Sequence, residues 1–297
     1  MAVELTAARE QSRARYPDEE GYVERDGVRV FYEVYGSGEP TILLLPTWSL
    51  IHSRQWKAQI PFLAREHRVV TFDGRGNGRS DRPTQPHAYD ETEFAADALA
   101  VLDETATDRA VVVAFSLGAP RALILAAEHP DRVAGAVFIG PSYPGGGEPL
   151  AERIVPWEDE LDTAEGWAKY NKHYWLRDYR GFLDFFFGRF FVEPHSTKQT
   201  EDCIGWALET TAETLVTAQY GAMPGPDEAR ALAQRLRCPV LVVQGANDRI
   251  SSHTRGVALA EHAGADLVLL EGSGHAPHVR DPVFLNLLLR DFVRRLA

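Results

Sequence analysis

The sequence is poor in cysteine, and this scarcity narrows the class of protein. Its 297 residues include only Cys203 and Cys238, which do not form a CxxC pair. Two such cysteines supply neither a disulfide scaffold nor a cysteine-rich zinc site. We therefore expect a protein of a reducing compartment.

The sequence is also short of positive charge and of long apolar stretches. Lys and Arg number 31 against 43 Asp and Glu, a formal net charge of −12 at pH 7. This balance disfavours nucleic acid and an anionic membrane surface as partners. No run approaches the ~20 apolar residues of a membrane span, and residues 1–21 lack the apolar stretch of a signal peptide. We expect a cytoplasmic globular protein, monomer or homodimer, that acts on a small molecule.

Short apolar runs, in contrast, recur along the chain. Six are continuous rather than alternating, which is typical of strands buried on both faces of a parallel sheet. They are residues 41–46, 68–73, 110–116, 135–141, 239–245 and 265–272. Helix-like segments at 92–106 and 121–133 lie between them, a pattern that predicts a doubly wound α/β fold. Residues 22–36, with Asp26-Gly27 as the turn, predict a β-hairpin at the edge of the sheet.

Residues 142–226 interrupt this alternation. The segment begins with PSYPGGGEP and ends with GAMPGPDEA, both of which favour turns. The sequence between them is helix-like, dense in aromatic residues and free of strand-like runs. We predict a helical cap, or lid, over a core made of residues 1–141 and 227–297. Most of its aromatic side chains should pack within the cap, and some should face the crevice beneath it.

Ser116 stands where a strand-like run gives way to a helix-like segment, in VVVAFSLGAP (111–120). A nucleophilic serine at such a strand–turn–helix junction needs small residues two positions before and after it. Gly118 meets this requirement, and Ala114 exceeds it by one methyl group. Pro120 suits the first turn of the following helix. The alternative is an ordinary serine that caps the helix.

Two later strand-like runs each end in a residue that could activate this serine. Asp248 follows the run 239–245, and His275 follows the run 265–272 in a glycine-flanked loop. A serine hydroxyl needs a base within hydrogen-bond reach and a group that orients the base. Alone, Asp248 could cap a helix and His275 could be a solvated loop residue. Together with Ser116 they predict a Ser–Asp–His triad, in which His278 is a rival base.

The sequence resembles the α/β-hydrolase family from about residue 21 to its end. The resemblance is carried by AFSLG (114–118), TFDGRGNGRSDRP (71–83), GANDRI (245–250) and GSGHAPHV (272–279). It implies a mostly parallel eight-stranded sheet flanked by helices, the chain order Ser116, Asp248, His275, and no metal or organic cofactor. It assigns structural roles to the DGRGNGRS loop, namely to Asp73, Arg75, Gly76, Gly78 and Ser80. Epoxide hydrolases and haloalkane dehalogenases of this fold would carry an aspartate at position 116.

The sequence departs from the family after its third strand. Pro46-Thr47 stands where members of the family have His-Gly, in the loop that supplies a backbone N–H group to the oxyanion hole. The alignment makes the donor Trp48, or Ser49 with a one-residue shift, and the second donor Leu117. Loss of one donor typically slows such an enzyme by ~10²–10³. A misformed loop would therefore give a slow enzyme.

These residues together predict a serine hydrolase that cleaves a carboxylic ester or related acyl bond of a small, largely apolar substrate. Phe115, Trp48 and Trp175 are the predicted substrate-binding side chains. The same triad would also serve hydrolysis of a C–C bond, a lactone or a thioester, or perhydrolysis. A small-molecule receptor of this fold, with slow or no turnover, is the alternative outside enzymes.

Overall fold

The apolar runs form one sheet in the computed structural model of the chain, which describes residues 14–296. Its strands are β1 (Glu19–Arg25), β2 (Val28–Tyr35), β3 (Thr41–Leu44), β4 (Val69–Phe72), β5 (Ala110–Phe115), β6 (Val133–Ile139), β7 (Val240–Gly245) and β8 (Asp266–Leu270). Their order is β1-β2-β4-β3-β5-β6-β7-β8. The last six strands in this order are parallel, and β1 and β2 are antiparallel to their neighbours. The predicted mostly parallel sheet of eight strands is confirmed.

The hairpin of β1 and β2 lies at one edge of the sheet, as predicted. Asp26 and Gly27 connect the strands with φ angles of 51° and 77°. Positive φ at both turn residues is the geometry that matches the right-handed twist of a hairpin. The turn thereby fixes Arg25 opposite Val28.

Helices cover both faces of the sheet. They are α1 (Ile60–Leu63), α2 (Glu91–Glu104), α3 (Gly118–Glu128), α4 (Lys172–Arg177), α5 (Tyr179–Phe190), α6 (Thr197–Ala207), α7 (Ala212–Ala218), α8 (Pro226–Gln234), α9 (His253–Ala263), α10 (Pro277–Arg280) and α11 (Pro282–Arg294). All residues of β3, β4, β5 and β7 are buried, which explains their continuous apolar sequences. Neighbouring residues of one strand contribute to two different cores, one on each face. Within residues 14–296, no helix combines the length and apolarity needed to cross a membrane.

The chain between β6 and β7 is helical. Residues 142–226, all of which the structure describes, contain α4 to α7, the first residue of α8 and two short 3₁₀ turns, but no strand. Buried aromatic side chains of α4 and α5 pack together here, and they belong to the same core cluster as β5 and β7. The core and cap boundaries stay a prediction. Residues 1–13 and 297 of the predicted core, with most of the segment tested for a signal peptide, lie outside the described residues.

Candidate active site

Ser116 occupies a sharp turn between β5 and α3. Its φ angle is +51°, a left-handed conformation that costs free energy for a residue with a side chain. The turn is held on both sides of the serine, because its N–H donates to the Ile139 carbonyl at 3.0 Å and its carbonyl accepts from the Ser142 N–H at 3.0 Å. The predicted strand–turn–helix context is therefore present.

The small residues around this turn pack against each other. A methyl group built on Gly118 would lie 3.1 Å from the Pro46 carbonyl oxygen and 3.5 Å from the Cβ atom of Ala114. The space that Gly118 leaves open is thus next to the fully buried Ala114 methyl group. The turn thus accommodates alanine where the family pentapeptide has glycine.

The structure brings together the three residues predicted as a triad. Ser116 Oγ lies 3.0 Å from His275 Nε2, and His275 Nδ1 lies 2.7 Å from Asp248 Oδ2. The serine follows β5, the aspartate follows β7 and the histidine follows β8, so all three lie at the carboxyl edge of the sheet. The side chains of Asp248 and His275 have no solvent exposure. Their contact therefore forms in a water-poor environment, where it is strengthened.

Both oxygens of the Asp248 carboxylate have further partners. Oδ1 accepts the backbone N–H groups of Ile250 at 2.7 Å and Ser251 at 2.9 Å, and Oδ2 accepts Gln244 Nε2 at 3.1 Å. This network fixes the carboxylate as an acceptor facing His275 Nδ1. A proton on Nδ1 leaves the lone pair of Nε2 directed at Ser116 Oγ.

The loop that carries His275 is attached to the end of α5. The His275 N–H donates to the Phe190 carbonyl at 2.8 Å, and the two rings are 4.7 Å apart. Glu193 Oε1 accepts the N–H of Gly274 at 2.9 Å and the hydroxyl of Ser273 at 3.1 Å. The histidine loop and the helical segment between β6 and β7 are therefore joined by three hydrogen bonds.

His278, the rival base, lies behind the site. Its ring packs against Phe115 at 4.4 Å and Trp56 at 4.9 Å, and neither ring nitrogen has a hydrogen-bond partner among residues 14–296. Burial and the nearby His275 lower the pKa of His278 to about 3. This histidine is therefore neutral at ordinary pH, and it is His275 that contacts the serine.

The backbone expected to form the oxyanion hole lines a cavity next to Ser116. The cavity has a volume of about 180 Å³, and Trp48, Ser49 and Leu117 are among its lining residues. The backbone N–H groups of Trp48 and Leu117 donate to no acceptor among the described residues. The Ser49 N–H likewise donates to no acceptor of these residues, and its hydroxyl donates to the Arg75 carbonyl at 2.8 Å.

Arg121 holds the loop that follows β3 in place. Sequence reasoning missed this contact. The guanidinium is only 2 % exposed, and it donates to the carbonyls of Pro46, at 3.1 Å, and Thr47. In a trans peptide the C=O and N–H point in opposite directions, so the Thr47 carbonyl turned toward Arg121 directs the Trp48 N–H away from it. Glu91 accepts two further bonds from Arg121, at 2.7 and 3.3 Å. The signal in the sequence was that Arg121 is the only charged residue of α3 before Glu128.

Only one of the three side chains predicted to bind substrate lines the cavity. Trp48 lines it, whereas Phe115 and Trp175 do not. Phe115 ends β5 on the face that packs against His275 and His278. Trp175 is fully buried behind Trp48, with 5.6 Å between the ring centroids. Both side chains therefore pack against residues near the cavity and are not part of its wall.

The cavity is also more charged than expected. Glu91 and Arg121, here called the floor pair, line it together with Arg153 and Arg255, here called the rim pair. Aromatic and aliphatic side chains complete the wall. They include Trp48, Tyr89, Phe94, Tyr170, Phe186, Met223 and Ile250. The wall is thus mainly apolar, and four ionisable side chains reach the cavity; the largely apolar substrate stays a prediction.

The DGRGNGRS loop has the structural role that the resemblance implies. The buried Asp73 carboxylate accepts the backbone N–H groups of Ser53 at 3.0 Å and Arg79 at 2.9 Å. Arg75 forms two bonds with Asp97, at 2.6 and 2.8 Å. These contacts fix the loops beside the sheet edge. Among residues 14–296, no group of three or more His, Cys, Asp and Glu side chains is placed to share a metal ion.

The sheet topology and the three side chains at its carboxyl edge define an α/β-hydrolase. The sequence pattern of the family described as "alpha/beta hydrolase fold" matches residues 40–282. The chain therefore belongs to this family.

Similar proteins include several enzymes of the family. Epoxide hydrolase B of Mycobacterium tuberculosis is 35% identical over 163 residues, which cover 52% of this chain and 42% of that protein. The bifunctional esterase/perhydrolase DCH of Acinetobacter calcoaceticus is 38% identical over 123 residues, 40% of this chain and 44% of that protein. The chain thus spans less than half the length of these two relatives. A solved structure, Est816, described as an N-acyl homoserine lactone degrading enzyme, is 28% identical with a TM-score of 0.72, covering 92% of this chain and all of that one.

Proposed function

We propose that the protein is a serine hydrolase that cleaves a carboxylic ester, or a related acyl bond, of a small substrate through an acyl-enzyme on Ser116. The observation that carries this proposal is the unbroken contact from Ser116 to His275 to Asp248, at 3.0 and 2.7 Å, beside a cavity that the serine lines. The named relatives support it, since an esterase/perhydrolase and a lactone-degrading enzyme are among them.

In the first half of the reaction, Ser116 Oγ attacks the carbonyl carbon of the ester while its proton passes to His275 Nε2. Asp248 holds the Nδ1–H tautomer and stabilises the imidazolium that forms. The carbonyl oxygen becomes an oxyanion. When the C–O bond to the alcohol breaks, the imidazolium returns its proton to the leaving oxygen, and the acyl group remains on Ser116.

In the second half, water replaces the alcohol. His275 Nε2 takes a proton from water as its oxygen attacks the acyl carbon, and a second tetrahedral oxyanion forms. Collapse breaks the bond to Ser116 Oγ, which recovers the proton from His275. The products are a carboxylic acid and an alcohol, and the enzyme returns to its starting state.

The N–H groups of Trp48 and Leu117 stabilise both oxyanions in this proposal. Such donors act strongly because they are fixed before the charge develops. Arg121 serves as a positioning residue, since it holds the Thr47 carbonyl and with it the direction of the Trp48 N–H. Because this loop contributes a backbone N–H group rather than a side chain, Pro46-Thr47 replaces the family's His-Gly without removing the donor.

A lactone is the second candidate substrate, favoured by the 28% identity with Est816 over 92% of this chain. The chemistry is the same, except that the leaving alcohol stays attached to the acyl group. Ring opening on Ser116 and hydrolysis would therefore give a single hydroxy acid.

A fluorophosphonate probe and a panel of short p-nitrophenyl esters and γ-lactones test the proposal. We expect labelling of Ser116 and ester turnover, and we expect both to be lost in Ser116→Ala. Ser37→Ala is the matched control, because Ser37 is exposed at the opposite edge of the sheet. Ester turnover that survives in Ser116→Ala would refute the serine mechanism. Labelling without turnover of any ester or lactone would favour a receptor.

A further inference from the structure

Two arginines of the cavity have no acidic partner in the part of the chain that the structure describes. Arg153 ends a 3₁₀ turn, Ala151–Arg153, and Arg255 lies in the first turn of α9; both are partly buried and line the cavity beside Ser116. Neither forms an ion pair with any carboxylate of residues 14–296. The floor pair differs, since Arg121 is neutralised by Glu91 at 2.7 Å.

Most hydrogen-bond donors of the rim pair are unused. Arg153 donates one Nη1 bond to the Ile250 carbonyl, and its guanidinium packs over the rings of Trp167 at 4.8 Å and Tyr170 at 5.1 Å. The Arg255 side chain donates to no described residue. A guanidinium has five N–H donors, arranged to bind a carboxylate with two parallel bonds.

The described residues around the two arginines do not compensate their positive charges. The first turn of α9 contains no acidic residue, and Glu152, next to Arg153 in the chain, uses its carboxylate to accept Trp167 Nε1 at 3.2 Å. Burial and the neighbouring charge of Arg153 both lower the pKa of Arg255. In a protein with a net charge of −12, two adjacent cations without a counter-ion form a local positive site.

The rim pair is also placed close to the reacting groups. Both arginines line a second cavity of about 220 Å³ as well as the one beside Ser116, so they lie between the two. Ile250 lines both cavities and connects the rim to the triad. Its carbonyl accepts Arg153, and its N–H donates to Asp248.

We propose that the substrate carries a carboxylate, and that Arg153 and Arg255 bind this group while Ser116 attacks the ester. The proposal rests on the serine hydrolase function above and specifies its substrate class: a small ester or lactone that bears an ionised carboxyl group on its acyl or its alcohol portion. The aromatic wall around Trp48 contacts the uncharged part. The floor pair does not compete for the anion, because Glu91 already satisfies Arg121.

Pairs of esters that differ only in charge test this inference. 4-Acetoxybenzoate and 4-acetoxybenzamide place the carboxylate or its uncharged amide on the alcohol side. Monoethyl adipate and ethyl 5-carbamoylpentanoate place it on the acyl side. In at least one pair we expect kcat/KM to be roughly 10- to 100-fold higher for the carboxylate, the range typical of hydrogen bonds to a charged group.

The two arginines are then replaced separately. We expect Arg255→Met and Arg153→Met each to lower the carboxylate-to-amide ratio of kcat/KM by about tenfold or more. Arg237→Met is the matched control, because Arg237 is exposed before the amino end of β7, away from the cavity. If Arg153→Met fails to fold after losing its contacts with Trp167 and Tyr170, Arg255→Met still decides, because the Arg255 side chain donates no hydrogen bond to residues 14–296.

The outcomes separate this inference from the proposed function. A ratio near one in both wild-type pairs, with Ser116 labelled and the amide esters hydrolysed, would overturn the anion site and leave the serine hydrolase intact. A ratio that persists in Arg255→Met would also overturn it. If no ester is hydrolysed, calorimetry with Ser116→Ala still decides. Benzoate binding that exceeds benzamide binding and is lost with Arg255→Met supports the anion site, and equal binding of the two refutes it.

Discussion

The floor and the rim of the cavity carry the same basic side chain in opposite electrostatic states. At the floor, Arg121 is buried, bonded to Glu91 and to two loop carbonyls. At the rim, Arg153 and Arg255 are partly exposed and have no acidic partner among the described residues. The role of a charged side chain in an active site therefore depends on its partners. A compensated cation holds the protein, whereas an uncompensated one is available to a ligand.

Replacement of the floor arginine should have the largest effect. Arg121→Met leaves Glu91 buried without a partner, which typically costs about 3–5 kcal/mol of unfolding free energy. It also frees the Thr47–Trp48 peptide to rotate, so kcat should fall by up to ~10²–10³ while KM changes little. Urea denaturation and steady-state kinetics on a neutral p-nitrophenyl ester measure the two effects.

The control for this variant separates packing from positioning. Adding Glu91→Met to Arg121→Met removes the unpaired charge and should restore part of the stability but not kcat. Arg121→Lys, which keeps the charge, should recover stability more than activity, because it lacks the two-pronged contact. A double variant that regains full kcat would show that Arg121 does not position the oxyanion donor.

Replacement of His278 should have a smaller effect on stability. This side chain represents a third electrostatic state, since burial keeps it neutral. The unfolded chain takes up a proton near the ordinary pKa of 6.5, whereas the folded chain does so only near 3. Stability should therefore fall as the pH drops from about 6.5 toward 3, by up to about 3 kcal/mol over the first two pH units. His278→Leu should remove this part of the acid sensitivity.

Urea denaturation at pH 6.5 and 4.5 measures the difference between wild type and variant. The matched control is His87→Leu, since His87 is exposed on the Pro86–Tyr89 turn. An equal loss of stability in wild type and His278→Leu would contradict a buried, neutral histidine.

The rim should give the smallest effect on stability. Arg255→Met removes a cation that pairs with no acidic side chain of residues 14–296 and lies near another cation, so the free energy of unfolding should change by less than about 0.5 kcal/mol or rise slightly. Thermal unfolding beside Arg237→Met checks this. A loss comparable to that of Arg121→Met would mean that the rim is structural, and the contrast between the two ends of the cavity would disappear.

The sequence predicted the parts of the fold that follow from hydrophobic pattern. Every one of the six continuous apolar runs overlaps a strand, and five of these strands are buried on both faces. The prediction of burial on both faces was wrong for the sixth, since β8 lies at the edge of the sheet and is largely exposed. The triad geometry followed from the same pattern. Once β5, β7 and β8 are parallel neighbours or near neighbours, the residues after them meet at one edge.

The sequence could not predict which way side chains face within the site. Trp175 and Trp48 are both aromatic residues near the cavity, yet only Trp48 lines it and Trp175 is buried behind it. Arg121 was overlooked because an arginine in a helix is usually on the surface, and its burial depends on Glu91, 30 residues away. The charge state of the cavity depends on such pairing between residues distant in the sequence, which a local sequence pattern cannot predict.

The attachment of α5 to the histidine loop has a mechanical consequence. Phe190 and Glu193 hold the backbone of Gly274 and His275, so this end of the helical segment cannot swing outward without carrying the catalytic base with it. A movement that admits substrate and keeps the base in register must pivot here.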